Sequence, residues 1–170
     1  FVKCNPTLLG YETARSRLDA LGYQDVAFGR FHFDDDLQWQ DAIPMFARLQ
    51  ALAASLGLEF GLKLSNTFPV DVTQGELPAQ EMYLSGKALY PLTIEMARRI
   101  SQQFDGRMRI SYSGGADAFH IAALFDAGVF PITMATTILK PGGYARFVPI
   151  AAALQKKDYL PFCGTDTARL

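Results

Sequence analysis

Short apolar segments and stretches of helical period take turns along this chain, and few architectures accept that order. "FVKC" reads as a buried strand, "NPTLLG" as a turn, and "YETARSRLDALG" as a helix with Ala14, Leu18 and Leu21 on one face before Gly22. "DVAFGRF" (25–31) reads as a second strand and "HFDDDLQWQD" as a polar, solvated connection. A long helix follows, with Asp41 as its cap, Pro44 in its first turn, and Met45, Phe46, Leu49, Leu52 and Ala53 at helical spacing before Gly57. "LEFGLKLSNT" is a third strand, after which residues 68–90 show no clear period, as functional loops often do. "PLTIEMARRISQQF" is a helix opening on Pro91, "RMRISYSGG" a strand, "ADAFHIAALFDAG" a helix, "FPITMATT" a strand and "ARFVPIAAALQKK" a helix. The tail "DYLPFCGTDTARL" carries neither period.

Strand and helix thus alternate about five times, which predicts an α/β fold with a parallel sheet and right-handed crossovers. Either an open doubly wound sheet or part of a (β/α)8 barrel satisfies that order. A whole barrel takes about 250 residues, so 170 residues supply only its later strands. The expected fold is the C-terminal portion of a TIM barrel over residues 1–155, with 156–170 an irregular tail or a linker to a following domain. The opening "FVKCNPTLLG", which has no initiator Met or polar lead, reads as a start inside a domain.

Composition removes several classes of function. Sixteen basic residues balance seventeen acidic ones, which argues against a nucleic-acid surface or a polybasic membrane anchor. Cys4 and Cys163 are too few and too far apart for a zinc ribbon or an iron–sulfur cluster, and they suit a reduced, cytoplasmic setting. No apolar run approaches the ~20 residues of a membrane span.

In both candidate architectures ligands gather at the C-terminal ends of the strands, so the residues just beyond each strand carry the functional weight. "YSGGAD" offers Ser113, Gly114 and Gly115. The glycines suit a tight strand-to-helix turn, and equally a backbone that cradles an anion at a helix N-terminus. "TMATT" adds Ala135, Thr136 and Thr137 at the end of the next strand, which favours the phosphate reading. Lys63 sits in an apolar strand whose alternation sends Leu62 and Leu64 the other way. It is either a salt-bridged core lysine, a charge beside an anionic cofactor ring, or a Schiff-base lysine. Asn66 and Thr67 follow it with donor and acceptor groups for a planar, amide-rich ligand. Lys3 and Cys4 are adjacent and so take opposite faces; Cys4 is a buried packing residue or a proton-transferring thiol. His32 near Asp34, Asp35 and Asp36 reads as a helix-capping loop rather than a metal site, and no metal is expected. His120 reads as a packing or surface residue.

The segments "KLSNT", "YLSGKALYPLTIEMARRI", "YSGGADAFHIAALFDAG" and "ITMATTILKPGGY" together resemble the dihydroorotate dehydrogenase superfamily of flavin TIM barrels. They are most similar to its relatives in dihydropyrimidine dehydrogenase and in the multidomain YgfK family, which bears the name of a selenate reductase subunit. The second likeness covers almost the whole chain. It implies an FMN-dependent oxidoreductase acting on a small molecule. Asn66, Thr67, Ser85 and Gly86 would then lie by the flavin, while Gly114, Gly115, Ala135 and Thr136 hold its phosphate and Lys3 or Lys63 contacts its ring. It further implies that N-terminal barrel strands or partner redox domains complete the unit, with iron–sulfur clusters or FAD confined to other domains. "KCNP" echoes the family's catalytic loop only loosely, leaving Cys4 and Lys63 as the candidates for chemistry. A Schiff-base aldolase-type barrel using Lys63 and a non-catalytic barrel scaffold in a redox complex are the competing readings.

Overall fold

A computed structural model describes residues 1–170. Three strands, β1 (Val2–Cys4), β2 (Gly61–Leu64) and β5 (Arg109–Tyr112), form a parallel sheet in the order β1-β2-β5. A single parallel bridge between Tyr112 and Ile132 extends it by one position. Helices α1 (Tyr11–Ala20) and α3 (Trp39–Ser55) lie between β1 and β2 in the chain, and α4 (Tyr90–Gln103) lies between β2 and β5.

Strand alternation sorts the sheet into two chemically different faces. Cys4, Leu62, Leu64, Ile110 and Tyr112 are buried in one core with Ala14 and Leu18 of α1, Phe46 of α3, and Leu92, Met96 and Ile100 of α4. Lys3, Lys63 and Ser111 are register partners on the opposite face. The four-residue spacing of Leu92, Met96 and Ile100 gives α4 its buried stripe, each side chain contributing about 1.5–3 kcal/mol. Pro91 stands in the first turn of α4, where its missing N–H costs nothing.

The structure departs from the sequence reading at four places. Residues 25–31 form no strand: Arg15 donates to the carbonyls of Val26 (2.6 Å) and Tyr23 (2.7 Å), and the Ala27 carbonyl accepts from Asp71 N (2.8 Å). One side-chain donor and one backbone N–H thus stand in for a ladder, while Phe28 still packs in the core. The connection after it holds a short helix, α2 (Phe31–Asp34), and α3 begins after Gln38 with no side-chain cap from Asp41. The unpatterned stretch from Phe68 contains an antiparallel hairpin of β3 (Phe68–Asp71) and β4 (Glu81–Leu84). Finally, "ADAFHIAALFDAG" is helical only in α5 (Ile121–Asp126), and "FPITMATT" makes one bridge before the short helix α6 (Thr136–Leu139).

Helix α7 (Phe147–Leu154) follows, and then the irregular tail. The tail is fastened to the domain: Thr165 N donates to Gly106 O (2.8 Å) and Asp166 N to Ala127 O (2.8 Å). No helix is long and apolar enough to cross a membrane.

Candidate functional site

Beyond the carboxyl ends of β2 and β5, four short stretches converge on a polar cavity of about 220 Å³. Ser65, Asn66 and Thr67 come from the end of β2, and Ser85 and Gly86 from the end of the hairpin. Ser113, Gly114, Gly115 and Ala116 follow β5, and Thr133 to Thr137 follow the Ile132 bridge. Lys3 reaches in from β1. The structure therefore brings together Lys3, Asn66, Thr67, Ser85, Gly86, Ser113, Gly114, Gly115, Ala135, Thr136 and Thr137. Lys63 does not line the cavity; it stands beside Lys3, one strand over on the same face. A second cavity, about 280 Å³, lies between the α5 end and the tail. Its residues 125–130 precede the Ile132 bridge, so it lies toward the end of the parallel sheet where barrels do not place ligands.

The glycines owe their identity to packing. A Cβ on Gly114 would fall 2.3 Å from Thr93 Oγ1, and one on Gly115 (φ +75°) 2.2 Å from the Gly86 carbonyl oxygen. A Cβ on Gly86 (φ +67°) would meet Thr136 Cγ2 at 2.8 Å. Gly115 thus lies against the backbone of the loop after β4, and Gly86 against the Thr136 side chain, approaches that only glycine permits. The helix-dipole part of the anion argument fails, because α5 starts six residues beyond Gly115. What the turn offers is its own amides. The N–H groups of Gly114, Gly115 and Ala116 donate to no protein acceptor, nor do those of Ala135, Thr136 and Thr137. Gly114 and Ala116 are buried, and a buried N–H left unpaired is costly, so these donors point to a ligand or ordered water. Thr137 spends its hydroxyl on Ala116 O (3.1 Å), whereas the Ser85, Ser113 and Thr136 hydroxyls face no protein partner.

Residues outside the sequence reading hold these loops. Ser65 Oγ and Thr93 Oγ1 share a hydrogen bond (2.8 Å), and Thr93 Oγ1 donates to Leu89 O (3.1 Å), tying the end of β2 to the start of α4. Lys87 Nζ and Asp117 Oδ2 form an ion pair (2.7 Å) that clasps the loop after β4 to the loop after β5. Burial pushes the Asp117 carboxyl up, but the hydrogen bonds from Lys87 and Phe119 N outweigh it and hold the group below its ordinary range. His120 Nδ1 lies 2.9 Å from Asp117 Oδ1 and its ring stacks on Tyr90. Lys87 and Asp117 stand within the "SGK" and "GGAD" segments, but residues so far apart in the chain carry no local sign that they pair.

Electrostatics favour a negative ligand. Lys3 and Lys63 stand side by side, and neither forms an ion pair, so the salt-bridged reading of Lys63 is set aside. Two unneutralised ammonium groups and a ring of free amides attract negative charge. Cys4 takes the other face, 5% exposed, with its thiol pushed up to about 12 by burial and then by Asp36. It is therefore protonated at neutral pH and packs as a small apolar residue. His32 faces Asp71 (3.2 Å) and Glu81 (4.0 Å) instead of Asp34–Asp36, and no cluster of His, Cys, Asp and Glu could hold a metal.

A parallel sheet covered by helices on one face, with a polar cavity beyond its strand ends, defines an α/β domain of the TIM-barrel class whose cavity lies where barrels place their ligands. The chain belongs to the family described as "Oxidoreductase YgfK, N-terminal TIM-barrel domain", which matches residues 1–170. It is 46% identical over 170 residues to "Putative oxidoreductase YgfK" of Escherichia coli strain K12, and equally to the protein of that name in Escherichia coli O157:H7. Those matches cover all of this chain but 16% of each relative, so the chain spans about a sixth of their length. The resemblance to the YgfK family is thus borne out over the whole sequence.

Proposed function

We propose that this chain is the C-terminal portion of a barrel that binds FMN within a larger oxidoreductase of the cytoplasm. One observation carries the reading: the unpaired amides and hydroxyls of the 85–86, 113–116 and 135–137 loops converge at one end of a sheet face bearing Lys3 and Lys63. A cavity of about 220 Å³ is smaller than the roughly 300–1,000 Å³ of ordinary ligand pockets. It suits a phosphate and its adjoining chain, with the remainder of the ligand along the lysine-bearing face. Gly114, Gly115, Ala135 and Thr136 would hold the phosphate through N–H groups, and Ser85 and Thr136 through hydroxyls. Lys3 and Lys63 favour negative charge on a group lying against them. When bound, FMN supplies hydride or electron transfer. The remaining barrel strands, the partner redox domains with any iron–sulfur cluster or FAD, and the small-molecule substrate belong to the rest of the longer protein. Cys4 and Cys163 are unpaired, in keeping with a reducing compartment.

The test is to purify the full-length protein, offer it FMN, and measure flavin released by heat. One FMN per chain is expected, lost in Gly115→Asp. A protein that takes up no flavin would overturn the proposal, and borohydride-dependent mass gain at Lys63 with a phosphorylated carbonyl compound would replace it with the Schiff-base reading.

A further inference from the structure

We infer that Asp36 is a positioning residue which sets, through Asn5, the end of the Asn66 side-chain amide that faces the cavity. The inference rests on the reading of that cavity as a flavin site.

Asp36 belongs to a run of three aspartates, yet it alone turns inward. Its Oδ2 accepts from Thr7 Oγ1 (2.5 Å) and Asn5 Nδ2 (2.8 Å), and its Oδ1 from Leu37 N (2.9 Å). These three donors leave the carboxylate no freedom to rotate. An ionised carboxylate can only accept, so Asn5 must present its NH2 group to Asp36. Its oxygen then points the other way, where Asn5 Oδ1 accepts from Asn66 Nδ2 (3.1 Å). Flipping Asn5 would set oxygen against carboxylate on one side and NH2 against NH2 on the other, so the partners dictate the orientation. The Asn66 backbone is held as well, its N–H donating to Cys4 O (3.0 Å).

Asn66 lines the cavity and Asn5 does not. With one N–H of Asn66 spent on Asn5, its Oδ1, which accepts from no protein group, is left as a fixed acceptor. Such a group recognises a ligand N–H or O–H, the imide N–H of a flavin ring being the relevant case. The relay joins residues far apart in the chain, Asn5, Asp36 and Asn66, and gives the "DDD" stretch a task beyond solvation.

The test is a double-mutant cycle on FMN affinity in the full-length protein, read by flavin fluorescence. Asp36→Ala is expected to weaken FMN roughly fivefold to tenfold, the worth of one hydrogen bond. Asn66→Ala should weaken it at least as much, and the double variant no further than Asn66→Ala alone, because Asp36 acts only through that side chain. Asn5→Ala, which touches neither ligand nor cavity, should repeat the Asp36→Ala loss and serves if the latter does not fold. Thr7→Val removes a hydrogen bond from the same carboxylate while sparing Asn5, and should stay within about twofold of wild type. Additive losses in the cycle, or wild-type affinity in both Asp36→Ala and Asn5→Ala, overturn the relay. If the wild type binds no FMN, the flavin reading falls by itself. Crystal structures of the full-length wild type and Asp36→Ala then decide the relay: a re-oriented Asn66 amide in the variant upholds it, and an unchanged one overturns it.

Discussion

Replacing Gly115 with alanine tests whether the loops beyond β4 and β5 are locked by contact or merely adjacent. Two costs add. At φ +75° an alanine is strained by about 1–2 kcal/mol. Its Cβ would also fall 2.2 Å from Gly86 O, 2.7 Å from Gly86 C and 2.9 Å from Lys87 Cα, all of them backbone atoms that no rotamer change can move aside. Forced separation of that kind costs about 1–3 kcal/mol more, a total near 2–5 kcal/mol. Gly22 supplies the control, since it has φ +85° and nothing within 4 Å of its Cβ position. Gly22→Ala therefore bears the backbone term alone. Hydrogen exchange in the full-length protein, followed by mass spectrometry of peptides from β5 and the start of α4, reads the difference. Gly115→Ala should speed opening there by a factor between about 30 and a few thousand, while Gly22→Ala speeds it by no more than the backbone term allows, about 5–30-fold. Equal, mild effects of the two substitutions would refute the contact argument.

Burial and charge elsewhere in the domain set two further outcomes. At pH 7.5 a maleimide should label exposed Cys163 and spare Cys4, which burial keeps protonated; mass spectrometry showing comparable labelling of both would contradict the placement of Cys4. Glu95, 5% exposed, accepts from Arg98 (2.8 Å), Arg99 (2.9 Å) and Arg17 (2.8 Å). Burial pushes its carboxyl up, but those guanidinium groups outweigh burial and hold it at about 2, below its ordinary value of 4.5. A lowered carboxyl stabilises the fold above its unfolded value and loses that contribution as pH falls toward the folded one. Thermal scans should therefore show Glu95→Gln less stable at pH 7 by about 1.5–3 kcal/mol, with a flatter profile between pH 4.5 and 2 than wild type; parallel profiles would refute it.

The strands and helices that were legible in the sequence are those whose pattern and partner agree. Lys63 between Leu62 and Leu64 announced a two-faced strand, and Leu92, Met96 and Ile100 behind Pro91 announced α4. Residues 25–31 misled because an apolar segment can bury its side chains without a ladder when a distant arginine and the Asp71 N–H satisfy its carbonyls, and no local pattern reports either. The hairpin was hidden for another reason: Phe68 and Val70 with Leu84 and Met82 share its inner face, but the outer face carries Pro69 and Tyr83 as well as acids, so residue type masks the alternation. At the site, positions at strand ends could be picked from topology, and the cavity gathers all of the candidates except Lys63 and Cys4. The network that orders them, Ser65 with Thr93, Lys87 with Asp117, and Asp36 with Asn5, spans separations that local spacing does not encode.

The double glycine presented packing and ligand binding as rivals, and the geometry makes them one requirement. Because Gly115 presses against the Gly86 carbonyl and Gly86 against Thr136, three loops lie too close together for any of them to fold back and pair its own amides. The contact that excludes a Cβ is thus what leaves the N–H groups of 114–116 and 135–137 free. A substitution that relieved the crowding, by letting the loops part, would give those amides protein or solvent partners and weaken a bound anion together with the fold. Loss of stability in Gly115→Ala and loss of phosphate-end affinity should therefore move together, whereas Asp36→Ala should weaken FMN and leave β5 exchange untouched.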